Sequence, residues 1–225
     1  MTREFSEDDV RIRPGRRSRP RSKERPDYTS ATSGLVVAVD RGRLTVDLGP
    51  GEPTLTAVRA RELGRRSVVV GDRVGLVGDL SGAEGSLARI VRLDPRSSAL
   101  RRTPDDSDPV ERIVVANADV LGIVVAAAEP EPRSGFIDRC LVAAYDAGLT
   151  PLLIVTKTDL ASAEPLAAAY SPLGIELIRT ARAQPVDDLA GRLTDHVTVL
   201  IGQSGVGKST LVNRLVPDAD RDTGH

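Results

Sequence analysis

Residues Gly202, Gln203, Ser204, Gly205, Val206, Gly207, Lys208 and Ser209 set closely spaced glycines ahead of a lysine and a hydroxyl, a pattern suited to cradling a polyphosphate. Backbone N–H groups can turn in succession toward phosphate oxygens only where the chain comes close to them, and glycine allows that approach where a side chain would clash. Lys208 is then expected to reach the terminal phosphates, Ser209 to offer its hydroxyl to a magnesium ion, and Thr210 to contact the phosphate nearest the ribose. The flanking segments are the means of positioning. Val197, Val199, Leu200 and Ile201 make a short β-branched run before the loop, and Leu211, Val212 and Leu215 an amphipathic segment after it. A strand entering the loop and a helix opening at Gly207 would direct unpaired N–H groups and the positive end of the helix dipole at the anion. A glycine-rich turn before a core helix is the plainer alternative, which the full pattern in its strand-to-helix context disfavours. The chain is expected to bind a nucleoside polyphosphate.

A second set of residues bears on which nucleotide. The apolar run Leu152, Leu153, Ile154, Val155 leads into Thr156, Lys157, Thr158 and Asp159. A carboxylate at the carboxyl edge of a parallel strand can accept hydrogen bonds from a base with adjacent donors, and the lysine stem can cover the phosphate loop or the base plane. Guanine has such a pair, a ring N–H and an exocyclic amine; adenine does not. The next apolar run, residues 175–178, precedes Thr180, Ala181 and Arg182, where a backbone N–H could meet the guanine carbonyl. Each segment alone is weak evidence, but together, in one sheet with the phosphate loop, they favour guanine over adenine.

The rest of the chain frames these residues. A length of 225 residues with 40% hydrophobic side chains allows one large domain or two smaller ones. Its 31 basic and 32 acidic residues nearly cancel, so distribution matters more than the total. Residues 11–25 carry eight basic side chains against one acid, too polar a stretch to offset its ordering entropy, and residues 1–30 are expected to be a disordered basic tail that contacts nucleic acid or merely solubilises. Residues 31–97 hold short valine-rich runs between turn signals, including Asp40 to Arg43, and predict a small antiparallel barrel of the OB type. That region lacks aromatic residues to stack bases, so any RNA contact would rest on Arg41, Arg43, Arg59, Arg61, Arg65 and Arg66, which equally well form a solvated face. Residues 98–110 read as a polar linker. Residues 111–225 alternate strands, near 113–115 and 120–127, with a helix near 135–147, which predicts a mostly parallel α/β sheet. On that helix Phe136, Ile137, Leu141, Ala144 and Tyr145 recur at helical spacing, so the lone Cys140 is expected to be core and inert. One cysteine excludes a disulfide framework and a cysteine-based zinc site within the chain, no apolar run approaches the roughly 20 residues of a membrane span, and the amino terminus lacks a secretion signal. A monomeric protein of the reducing cytoplasm, with no membrane contact, is expected.

Taken together, the motifs resemble a known family. Thr156-Lys157-x-Asp159 is similar to the Asn-Lys-x-Asp guanine motif of the GTPases, and Thr180-Ala181-Arg182 to their Ser-Ala-Lys motif, yet both precede the phosphate loop instead of following it. With GDRV at residues 71–74, ERIVVANAD at 111–119 and FIDRCLVAA at 136–144, the chain from about residue 33 onward closely resembles the bacterial ribosome small subunit-dependent GTPase A family. The resemblance implies a multi-domain protein: an all-β OB-like barrel, then an incomplete α/β P-loop GTPase domain with circularly permuted motif order. It further implies GTP and GDP as nucleotides with Mg2+, the small ribosomal subunit and its rRNA as partners, and hydrolysis of GTP to GDP and phosphate when stimulated by the subunit.

Family members continue with a switch segment, an Asp-x-x-Gly motif and commonly a zinc-binding domain. This chain ends at Arg221, Asp222, Thr223, Gly224 and His225, and Asp72-Arg73-Val74-Gly75, though spelled like Asp-x-x-Gly, falls in the barrel where a turn is expected. No general base is evident, and a terminal His225 is expected to be merely exposed. The chain is therefore expected to be a fragment of a longer enzyme, with exposed sheet edges, weak nucleotide binding and little turnover alone, and with no zinc site of its own. Thr156 stands where the family has asparagine, which implies weaker guanine selectivity. Two alternatives stay open: a P-loop ATPase or kinase without guanine selectivity, and an RNA-binding assembly module in which nucleotide is structural.

Overall fold

Valine-rich runs separated by glycine turns close on themselves in the amino-terminal half. The computed structural model describes residues 28–40, 42–64, 67–102 and 112–216; most of the expected basic tail, Arg41, Arg65, Arg66, residues 103–111 and His225 lie outside them. The chain divides into Met1–Ser30 and Ala31–His225, and the strands and helices of the described residues all lie in the second unit. Strands β1 (Thr32–Asp40), β2 (Arg43–Asp47), β3 (Leu55–Arg59), β4 (Arg73–Gly78) and β5 (Ala88–Leu93) form a closed barrel in the order β1-β2-β3-β5-β4, which leaves no free sheet edge. Inward-facing Val36, Leu44, Val46, Leu55, Val74, Leu76 and Ile90 fill it. The expected turn joins β1 to β2 with Asp40 opposite Arg43. One pair, β3 with β5, is parallel, so the barrel is not antiparallel throughout.

The barrel is fastened to the following domain by its GDRV turn. Gly71 has φ +88°, and a Cβ there would lie 1.9 Å from the Ala116 carbonyl oxygen, so only glycine lets the two segments meet. The Asn117 side-chain amide donates to the Gly71 carbonyl at 2.8 Å, and the Ala116 N–H donates to the Val70 carbonyl at 3.0 Å. Asp72, fully buried, accepts both Arg96 Nε at 2.7 Å and Arg96 Nη2 at 2.8 Å, and also the Val69 N–H at 2.8 Å.

Beyond it, β6 (Ala99–Arg102) pairs antiparallel with β7 (Arg112–Ala116). The expected linker 98–110 thus begins with a strand. Its polar composition hid Leu100, which is buried among Leu121, Leu153 and Ile137. The main sheet has the order β10-β9-β8-β11, built from β8 (Val120–Ala126), β9 (Thr150–Thr156), β10 (Glu176–Arg179) and β11 (Thr198–Ile201), all parallel. Alternate side chains divide its two faces. Leu121, Ile123, Val125, Leu153 and Val155 pack with helices α1 (Ser134–Asp146) and α2 (Glu164–Tyr170), whereas Val120, Val124, Leu152 and Ile154 pack with α3 (Asp187–Leu193) and α4 (Lys208–Leu215). Burial on both faces is what a parallel sheet requires. No helix among the described residues is long and apolar enough to cross a membrane.

On α1 the buried stripe is Ile137, Cys140, Leu141 and Ala144. Tyr145, expected in that stripe, is 61% exposed, because it falls on the flank of the stripe and not within it. Burial pushes the Cys140 thiol up to about 11, against a small opposing pull from Arg139.

At pH 8 a thiol of that acidity is thiolate in about one molecule in a thousand, so Cys140 should alkylate at least roughly a hundredfold more slowly in the native protein than in denaturant, as mass spectrometry would read. Asp72→Ala leaves the Arg96 guanidinium only the Ser67 carbonyl and the Val69 N–H without its acceptor, and should cost about 3 kcal/mol, seen as a lower urea midpoint with an unchanged slope.

Candidate functional site

The phosphate-loop sequence forms the connection from β11 to α4. At Gly202 the loop passes so near β8 that a Cβ would sit 2.3 Å from the Val124 carbonyl oxygen. Gly205 and Gly207 have φ of +78° and +95°, left-handed values that an L side chain resists, and Gly207 is the N-cap of α4. Val206, 2% exposed, pins the loop into the core, while Ser204 and Gly205 stay on the outside. Lys208 folds back over its own loop, its ammonium donating to the carbonyls of Gly202 at 2.8 Å and Gln203 at 2.6 Å. Partial burial holds that ammonium below the ordinary lysine range.

The two base-side segments lie at the carboxyl ends of β9 and β10, the end of a parallel sheet where ligands collect. Thr156 is buried, and its hydroxyl lies 2.6 Å from the Val206 carbonyl, to which it donates, and 3.3 Å from that of Val125. The end of β9 is thereby tied directly to the phosphate loop. Lys157 has φ +54°, and its ammonium donates to the Glu129 carbonyl. The Thr180 N–H donates to the Val155 carbonyl at 2.8 Å, and the Thr180 carbonyl accepts from the Thr158 N–H at 3.3 Å. Asp159 Oδ1 accepts the Arg182 N–H at 3.4 Å.

These segments enclose a cavity of about 640 Å³ lined by Thr156, Lys157, Asp159, Thr180, Ala181, Gly205, Val206, Gly207, Ser209 and Thr210, among others, a size suited to a small organic ligand. Gly202, Gln203, Ser204 and Lys208 do not line it. Lys208 and Ser209 border a second space, of about 630 Å³, on the other side of α4, along with Thr198, Leu200, Val212 and Leu215. Only Ser209 and α4 are common to both. Among the described residues β11 pairs with β8 alone.

Sequence reasoning missed Arg214. From the last turn of α4 it donates through Nη1 to the Ala181 carbonyl at 3.0 Å and through Nη2 to the Gln184 carbonyl. No local pattern could reveal it, since its partners belong to the loop after β10. The glycine cradle and the lysine fit a polyphosphate. No cluster of three or more His, Cys, Asp or Glu that could hold a metal ion occurs among the described residues, so magnesium at Ser209 would take its remaining ligands largely from phosphate and water.

Comparison with known proteins identifies the family of the chain. The family model described as RsgA GTPase matches residues 93–225. The small ribosomal subunit biogenesis GTPase RsgA of Pseudomonas syringae pv. syringae is 36% identical over 207 residues, covering 88% of this chain and 58% of that protein. The chain thus spans little more than half the length of such curated relatives. The crystal structure of YjeQ from Thermotoga maritima superposes with a TM-score of 0.65 at 26% identity, covering 86% of this chain and 68% of that one. YloQ, described as a circularly permuted GTPase, superposes with a TM-score of 0.62 at 20% identity, covering 86% and 67%, and is similar in fold. With the family model extending over more than half of its residues, the chain belongs to the RsgA GTPase family.

Proposed function

We propose that this chain binds GTP and GDP in the cavity between the phosphate loop and the ends of β9 and β10, and that the whole protein is a GTPase of small ribosomal subunit biogenesis. The observation that carries the reading is the joining of phosphate-side and base-side residues around one cavity, through the bond from Thr156 to Val206. The name of the Pseudomonas relative supports the biological setting. In this reading the loop from Gly202 to Thr210 holds the phosphates by its N–H groups, and Asp159 accepts the guanine ring N–H and amine. Lys208 exchanges its carbonyl partners for β- and γ-phosphate oxygens and offsets the charge that develops there, while Ser209 is a magnesium ligand. Hydrolysis, GTP plus water giving GDP and phosphate, then proceeds mainly by positioning and electrostatics. The Ser209 hydroxyl would hold magnesium, which would supply neutralisation of phosphate charge.

The domain assignment is part of the same proposal: residues 31–97 as the OB-like barrel, with exposed Arg43, Arg59 and Arg61 directed at rRNA phosphates, and 111–225 as the permuted GTPase domain. A monomer acting in the cytoplasm fits this role.

Displacement of fluorescent GDP from the chain with magnesium present tests the reading. GTP should displace it and ATP should not. Asp159→Ala should weaken GTP by about tenfold to a hundredfold, the effect of losing a charged hydrogen-bond acceptor, and leave ATP as it was. Equal displacement by ATP in the unaltered chain would overturn the guanine assignment in favour of a P-loop ATPase or kinase. If Lys208→Ala abolishes GDP binding yet leaves association with small ribosomal subunits unchanged, the nucleotide is structural and the chain an RNA-binding module.

A further inference from the structure

Arg214 occupies the last turn of α4, where a basic side chain ordinarily lies against the carbonyls of its own helix. Here it crosses to another segment and holds two carbonyls, those of Ala181 and Gln184. We propose that Arg214 is a positioning residue for guanine recognition, which by gripping the Ala181 carbonyl aims the N–H of the same peptide unit at the base side of the cavity. The proposal rests on the guanine-nucleotide reading of the site.

Peptide geometry links the two groups. The Ala181 carbonyl and the Arg182 N–H belong to one planar trans unit and point in opposite directions. Fixing the carbonyl toward Arg214, at 3.0 Å, turns the N–H toward Asp159 Oδ1, which it meets at 3.4 Å. Without that grip the turn has little to orient it. The bond within it, from the Gln184 N–H to the Ala181 carbonyl, is also 3.4 Å long. The near end of the loop is anchored independently, by the Thr180 N–H on Val155 at 2.8 Å, so the part that depends on Arg214 is the part facing the base.

Two further features favour this role. A guanidinium is a planar fork suited to spanning two acceptors, and charge-assisted bonds are the stronger kind. The helix that carries Arg214 also begins at Lys208, so phosphate loop and base loop are braced on one rigid element. Thr156 cannot take over the task, because its hydroxyl has a single hydrogen, directed at the Val206 carbonyl. Base selection therefore falls to Asp159 and the backbone N–H beside it.

The test compares Arg214→Met, which keeps the apolar stem, and Arg214→Lys with the unaltered chain, measuring GDP and ADP affinities and the amide exchange of the nucleotide-free proteins. Arg214→Met should weaken GDP about tenfold and leave ADP unchanged, the size expected from losing an oriented hydrogen bond in the base site. Arg214→Lys should recover only part of this, since a point charge cannot span both carbonyls. Exchange in residues 180–185 should accelerate while residues 202–212 stay as protected as before. Equal loss of GDP and ADP would reveal a general role in α4 and overturn the proposal, as would an unchanged GDP-to-ADP ratio or unchanged exchange. Should the unaltered chain itself fail to prefer GDP over ADP, the guanine reading falls and this proposal with it.

Discussion

The hydrogen bond from the Thr156 hydroxyl to the Val206 carbonyl, 2.6 Å long and buried, is the point on which the site depends. It joins the end of β9 to the middle of the glycine-rich loop, and so sets the spacing between the groups that the proposed reading assigns to base and to phosphate. Both partners are shielded from water, so breaking the bond would leave a buried carbonyl unsatisfied, a loss of about 1–3 kcal/mol. Its position also explains why the glycines on either side must be glycines. The loop has to pass close to β8 at Gly202 and turn left-handed at Gly205 and Gly207 to bring the Val206 carbonyl round to Thr156.

The sheet beneath provides the rigidity that this bond assumes. β8 is buried along its whole length and pairs on one side with β9 and on the other with β11, so the strands leading to base loop and phosphate loop share one central neighbour. Gly122 allows the closest part of that packing: a Cβ there would lie 2.5 Å from Leu200 Cδ2. A displacement of β11 against β8 would carry the start of the loop with it, because close-packed interiors do not yield smoothly.

The barrel is coupled to the same strand from the opposite end. Asn117, which precedes β8, has φ +54° and holds the Gly71 carbonyl, while Asp72 and Arg96 lock the turn behind it. A bidentate pair with its carboxylate fully buried is costly to form and costlier to break, a property better suited to fixing one arrangement than to adding stability. Barrel and cavity are thus joined through β8, with the barrel at its beginning and the cavity at its far end.

How much of this the amino-acid order determined by itself depends on the range of each interaction. The phosphate loop, the strands before Thr156 and Thr180, the barrel and the core position of Cys140 are written in contiguous residue types and periodicities, because glycine conformations, strand alternation and helix faces are local properties. Polar composition concealed β6, since a single leucine decided its burial, and helical spacing placed Tyr145 in a stripe it only borders. Contacts between distant segments were not legible at all. Thr156 and Val206 stand 50 residues apart, and Arg214 reaches a loop that precedes its helix. Register, crossover direction and helix rotation decide such meetings, and these are settled only when the sheet is assembled and both of its faces are covered.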